Sequence, residues 1–311
     1  MASSGIAFVF PGQGSQAIGM GKELCDQFGV ATEVFAEAEE ALGFSLSQLC
    51  FSGPEADLKL TENTQPAILT MSVVALRVLE AETDLRPAFV AGHSLGEYSA
   101  LVAVGALAFG DAVRVVRARG RLMQQAVPAG QGAMAVVLGL EMDAVRALCA
   151  DASQDEIVAP ANYNGGGQIV IAGAKNAVAR AMALAKERGA KRALDLPVSA
   201  PFHCELMRPA ADGLRLVLRD VPVHPFTVPV VTNVEADINR DCHRVKDLLV
   251  EQAVRPVRWE ESVKRLSNLG CQKALEIGPG KVLRGLIKRI APSLETVNLE
   301  TPADLARLKA A

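Results

Sequence analysis

Ala88-Phe89-Val90-Ala91-Gly92-His93-Ser94-Leu95-Gly96 is the stretch on which the reading of this chain turns. An apolar run leads into the pentapeptide Gly92 to Gly96, and a small-residue stretch of helical character, Glu97 to Ala108, leads out of it. Strand, sharp turn and helix follow one another with a serine at the apex, which fits the nucleophile-elbow pattern G-x-S-x-G. The glycines have a steric reason. The turn needs unusual φ/ψ, and a Cβ at either position would crowd the helix against the strand. Ser94 is then pushed out of the sheet at a helix N-terminus, where backbone N–H groups can hold a developing oxyanion. A tight turn without chemistry carries the same signature, so the rest of the chain has to decide.

The chain has 311 residues, half of them apolar, enough for one large domain or two modest ones with a substantial core. A net charge of −3, with acidic and basic residues interspersed, argues against a nucleic-acid or membrane-surface protein. Six cysteines form no C-x-x-C pair and are expected to be reduced thiols, not metal ligands. The apolar run Ile6 to Phe10 is too short for an export signal, and no segment approaches the ~18 apolar residues of a membrane span. The expectation is a soluble cytoplasmic protein without membrane or nucleic-acid partners.

Ile6 to Phe10 reads as a buried first strand, followed by Pro11-Gly12-Gln13-Gly14-Ser15-Gln16 and a helix-like stretch to Gln27. Gly12, Gly14 and Ala17 satisfy the dinucleotide fingerprint, but Glu33, Glu37, Glu39 and Glu40 fall in an apparent helix and supply no second-strand acid. The loop is therefore a flexible turn or a backbone donor near Ser94. Thr61 to Ala81 reads as a helix with Pro66 in its first turn. Asp111 is expected to cap a helix running to about Ala126. At ~100° per residue, Ala112, Val116, Arg119, Met123 and Ala126 share one stripe, whereas Arg114, Arg117 and Arg121 lie on a solvated side. Arg119 alone aims at the apolar face, either as an internal ion pair or as a guanidinium awaiting a substrate carboxylate.

After the loop Pro128 to Gln131 the pattern becomes strand (133–140), helix (143–150), strand (157–163), glycine-rich turn (164–167), strand (168–172), helix (175–188) and strand (191–198). This βαββαβ order is the ferredoxin-like unit. Beyond it, Ser199 to Cys204 leads to a helix ending near Arg219, and strands at 228–232 and 272–277 alternate with helices at 246–251, 261–269 and 281–290. A short exposed helix closes the tail. The fold class is α/β: a large α/β-hydrolase-like domain with a mainly parallel sheet (1–128 and 199–311) carrying an inserted ferredoxin-like domain (129–198).

Ser94 needs a base. His93 adjoins it and must point elsewhere, and His224 and His243 lie in surface-type contexts. His203, where the chain returns from the insertion, is the best candidate. Cys204 reads as structural, and Asp195 is a conceivable triad acid.

Several separated stretches resemble one family, the malonyl-CoA:acyl carrier protein transacylases, closest to the stand-alone bacterial enzymes of type II fatty-acid synthesis. They are Phe10-Pro11-Gly12-Gln13-Gly14-Ser15-Gln16, Gly92-His93-Ser94-Leu95-Gly96-Glu97-Tyr98-Ser99-Ala100, Arg119-Gly120, Pro201-Phe202-His203-Cys204, Glu251-Gln252 and Glu276 to Leu283. The resemblance spans nearly the whole chain. It implies Ser94 as acyl-accepting nucleophile, His203 as its base and acid, and the backbone amides of Gln13 and Leu95 as oxyanion hole. It further implies Arg119 as ligand of the malonyl carboxylate and the Gln252 main-chain carbonyl as orienter of the imidazole, a Ser–His dyad that leaves Asp195 structural. Phe202 resembles the malonyl-selective pattern of related domains, and Asn162 and Asn164 match family positions without assigned chemistry. The implied partners are malonyl-CoA, as substrate, and an acidic acyl carrier protein met by a basic rim for which Lys281, Arg284, Lys288 and Arg289, with Lys191 and Arg192, are candidates. No resident cofactor or metal is implied, and a monomer is expected.

Overall fold

The computed structural model describes residues 5–198 and 200–310; Ser199, where the larger domain is expected to resume, lies outside the described residues. The strands are β1 (Ile6–Phe10), β2 (Phe89–Gly92), β3 (Gly132–Leu138), β4 (Val158–Tyr163), β5 (Gln168–Ala174), β6 (Arg192–Asp195), β7 (Val230–Val231), β8 (Ile238–Asn239), β9 (Lys273–Ile277) and β10 (Glu295–Leu299). They form two sheets. One has six strands in the order β10-β9-β1-β2-β7-β8, and every neighbour is parallel except the β7–β8 pair. The other has the order β4-β5-β3-β6, wholly antiparallel, with helices Met142–Ser153 and Lys175–Glu187 between its strands, the ferredoxin-like arrangement.

The continuous apolar run of β1 is what a strand covered on both faces requires. Phe8 and Phe10 enter a core with Leu69, Leu76 and Leu95, while Ala7 and Val9 enter a second with Trp259, Val263 and Leu286. Beside β1, β2 delivers the chain to the elbow. A Cβ on Gly92 would stand 1.9 Å from the Gly96 carbonyl group, and one on Gly96 would stand 2.1 Å from the Phe10 oxygen. Helix Gly96–Ala103 can therefore leave the sheet at this angle only with glycine at both positions.

Several expectations need correction. Helix Phe109–Gln125 starts before Asp111, on buried Phe109, with Ala108 as N-cap; Asp111 sits in the first turn and binds Arg114 at 2.7 Å. Pro66 is the sixth residue of helix Thr61–Glu82, not in its first turn, so the Glu62 carbonyl lacks a helical donor. Arg117 is half-buried, its guanidinium 4.3 Å from the Phe44 ring centroid, and is not part of a solvated face. Residues 11–21 form no helix and the one that follows is only Lys22–Gln27, so the Gly12 loop does not itself open a helix as the dinucleotide fingerprint requires. β6 ends at Asp195, short of the expected Val198: Leu196 still gives its N–H to Met134 of β3, but Pro197 has no N–H and Val198 turns back to donate to the Leu196 carbonyl. β8 and β10 are absent from the sequence reading. The closing helix, Pro302–Ala310, buries Asp304 and Leu305, so it is not simply exposed.

Candidate active site

The elbow and the chain returning from the ferredoxin-like unit meet over a cleft of about 250 Å³. Ser94 holds φ 52°, a left-handed conformation that strains any residue with a Cβ, and His203 holds φ 60°. Both strained residues face each other: Ser94 Oγ lies 2.7 Å from His203 Nε2. The other imidazole nitrogen, Nδ1, is 2.8 Å from the Gln252 carbonyl oxygen. A carbonyl can only accept, so the proton belongs on Nδ1 and Nε2 is left with its lone pair toward the serine hydroxyl. Burial, reinforced by the adjacent Arg119 guanidinium, pushes the His203 pKa down to about 3, so the ring rests neutral.

Arg119 is 2% exposed. It donates to Gln65 Oε1 at 2.8 Å, Gln252 Oε1 at 2.9 Å and Ser94 Oγ at 3.2 Å. All three acceptors are neutral, and among the described residues no carboxylate lies within ion-pair distance of it. Burial holds its pKa below the usual guanidinium range. A desolvated cation beside the serine, held by amides, is arranged to receive an anion.

The rest of the site braces these groups. Asn233 Oδ1 accepts from the Ser94 amide at 2.7 Å, and its Nδ2 donates to the Gly92 carbonyl at 2.6 Å. His93 Nε2 pairs with Asn164 Oδ1 at 2.9 Å, and its ring packs edge-on to Trp259, so it points away from Ser94 Oγ. Gln13 and Leu95 line the cleft with Ser94, and among the described residues no turn or loop hydrogen bond engages their backbone amides. Phe202, Met134 and Leu286 make the cleft walls apolar.

Asp195 is exposed on β6, away from an imidazole whose Nδ1 is already engaged. His224 and His243 are exposed. Cys204 is buried, its thiol donating to the Pro201 carbonyl, and burial pushes its pKa up to about 12, which makes it inert. Asn162 and Asn164 both line the cleft. Gln65, Asn233 and the working contacts of Glu97 escape the sequence reading. An amide or carboxylate in a helix or turn carries no motif of its own, and only the elbow's length, with Glu97 one residue beyond it, hinted at one of the three.

Chemically, a neutral imidazole on a serine hydroxyl, beside a buried cation lacking an acid, suits acyl transfer from a donor that carries its own negative charge. Residues 7–301 match the acyl transferase domain family. The chain is 48% identical over 300 residues to the malonyl CoA-acyl carrier protein transacylase of Escherichia coli strain K12, covering 96% of this chain and 97% of that one. It superposes with a TM-score of 0.96, at 51% identity, on the crystal structure of an acyl carrier protein S-malonyltransferase from Vibrio cholerae, covering 98% of this chain and 100% of that one. A type II PKS acyl carrier protein in complex with its malonyl transacylase matches with a TM-score of 0.96 at 46% identity, covering 98% and 99% of the two chains.

Proposed function

The chain belongs to the acyl transferase domain family, and we propose that it moves a malonyl group from malonyl-CoA to the phosphopantetheine thiol of acyl carrier protein, supplying extender units for fatty-acid synthesis. The observation that carries this reading is the position of Arg119: its Nη2 lies 3.2 Å from the same oxygen that faces His203 Nε2 at 2.7 Å, and no carboxylate among the described residues pairs with it directly. A nucleophile, its base and a carboxylate receptor thus share one cleft.

In the first half-reaction Ser94 Oγ attacks the thioester carbonyl as His203 Nε2 takes its proton. The Gln13 and Leu95 amides receive the oxyanion, and losing one such donor typically costs ~10²–10³ in rate. The C–S bond breaks, the imidazolium returns its proton to the departing thiolate, and malonyl-Ser94 and coenzyme A result. In the second, the carrier thiol gives its proton to His203 and attacks the ester, and Ser94 is restored. The Gln252 carbonyl fixes the imidazole tautomer throughout, so no triad acid is needed. Arg119 depresses the basicity of His203 while its charge is open. A malonyl carboxylate neutralises that charge and restores some of the lost basicity, which ties activation of the base to the correct acyl group.

Malonyl-CoA acts as substrate, and the reaction needs no resident cofactor. The two sheets support a division into a larger unit, 1–128 with 199–311, and an inserted unit, 129–198, with the cleft between them. Lys281, Arg284, Lys288, Arg289, Lys191 and Arg192 are all exposed, as a rim for an acidic carrier protein requires. No helix among the described residues is long and apolar enough to cross a membrane, and we place the reaction in the cytoplasm. Initial-rate kinetics tests the covalent path. Parallel double-reciprocal lines for malonyl-CoA and acyl carrier protein are expected, and intersecting lines would contradict a malonyl-serine intermediate.

A further inference from the structure

Glu97 follows the elbow pentapeptide directly and plays no part in the steps above, yet its side chain is 2% exposed. Its Oε2 accepts from Gln252 Nε2 at 2.8 Å and from the Asn233 amide at 3.0 Å. The orientation of the Gln252 amide follows from its neighbours. Nε2 also donates to the Ser94 carbonyl at 3.0 Å, an oxygen that can only accept, so Oε1 must face Arg119. The result is one continuous bridge, Glu97 carboxylate to Gln252 amide to Arg119 guanidinium. Neither buried charge has a direct opposite partner among the described residues, and each is the other's nearest relief.

We propose that Glu97 is the internal counter-ion of Arg119, relayed through the Gln252 amide, and that it sets how strongly the guanidinium prefers a substrate carboxylate. This rests on the reading of Arg119 as the malonyl-binding group. With Glu97 ionised, an arriving malonyl carboxylate makes a second anion for one cation. Glu97 then takes up a proton, or malonyl binds against its repulsion. With Glu97 neutral, the guanidinium is fully available.

The electrostatics around Glu97 agree. Burial pushes its pKa up to about 7, opposed first by the hydrogen bonds from Gln252 and the Asn233 amide and then by the Arg119 charge, with Glu235 adding to the rise. Asp247 and Glu251, on the helix that carries Gln252, are exposed to solvent. The neighbouring Tyr98 phenol is pushed up to about 12 and stays neutral near pH 7. His203, at about 3, stays neutral there too. Glu97 is therefore the group of this bridge that titrates near neutrality. Its raised pKa means it is protonated below about pH 7 and ionised above, so malonyl preference falls as pH rises through that value.

The test is the malonyl-to-acetyl ratio of kcat/KM for wild type, Glu97→Gln and Arg119→Ala between pH 6 and pH 8.5. Glutamine keeps an acceptor for both donors and removes the charge. Wild type should lose about tenfold in the ratio across that range, the scale on which interior charges couple. Glu97→Gln should be flat and match wild type at pH 6. A wild-type ratio that does not change with pH, or a Glu97→Gln profile that tracks wild type while Arg119→Ala abolishes the preference, overturns the counter-ion role alone. Retention of the preference in Arg119→Ala overturns the reading beneath it. A second measurement keeps Glu97 in place: calorimetry of malonyl-CoA binding to Ser94→Ala enzyme at pH 8 in two buffers of different ionisation enthalpy. Proton uptake should appear and vanish in Ser94→Ala/Glu97→Gln; equal uptake, or none, in both proteins refutes the proposal.

Discussion

On the proposed reading, Arg119→Ala should separate recognition of the acyl group from the chemistry performed on it. The side chain is buried and donates to three neutral acceptors, with no carboxylate among the described residues in direct contact, which leaves it room for a substrate anion. Removing one member of a buried, hydrogen-bonded charge pair costs about 2–5 kcal/mol, so kcat/KM for malonyl-CoA should fall about 30- to 5,000-fold. Acetyl-CoA has no carboxylate and loses none of this. For it the mutation frees Gln65 Oε1 and Gln252 Oε1 of a donor, but it also removes the cation that, after burial itself, most depresses His203. These two effects oppose each other, so acetyl transfer should stay within about tenfold of wild type. The assay is transfer from each labelled thioester to acyl carrier protein under subsaturating conditions. An equal loss for both donors would refute the argument, because it would place Arg119 in the common chemistry.

Two further outcomes follow from the elbow and its base. Gly92→Ala drives a Cβ to 1.9 Å from the Gly96 carbonyl group, a backbone contact that cannot relax, so destabilisation should exceed the about 1–3 kcal/mol of ordinary overpacking; an unchanged melting temperature would contradict it. His203 has a folded pKa of about 3 against an ordinary 6.5, so below pH 6.5 the unfolded chain binds a proton that the folded chain refuses. Stability from this group is therefore complete above pH 6.5 and lost as pH falls, by about 2 kcal/mol at pH 5. Urea unfolding at pH 7 and pH 5 should show His203→Gln losing that much less than wild type, and equal losses would rule it out.

The sequence discloses most where physical necessity is local. The glycines of the elbow follow from helix–strand crowding, the stripe on helix Phe109–Gln125 isolates Arg119, and the βαββαβ order yields the antiparallel sheet. It discloses least where long-range pairing decides. β8 has two residues and exists only as a partner of β7, and β10 holds its place by lying parallel to β9, neither with a distinctive local pattern. Asp111 has the chemistry of an N-cap, yet burial of Phe109 starts the helix earlier. Gln65 and Asn233 are single polar residues brought to the elbow from 29 positions before Ser94 and 139 after it, and nothing in their neighbours along the chain announces what they hold.

On the proposed mechanism, the Ser94 hydroxyl, deprotonated by an imidazole 109 residues away, carries the acyl group between two thiols. Mass analysis of the Ser94 peptide after incubation with labelled malonyl-CoA tests it most directly. A malonyl adduct on Ser94 should persist in buffer and discharge when acyl carrier protein with a free phosphopantetheine thiol is added. An adduct on another residue, no adduct while transfer proceeds, or prompt release of free malonate to water would contradict it.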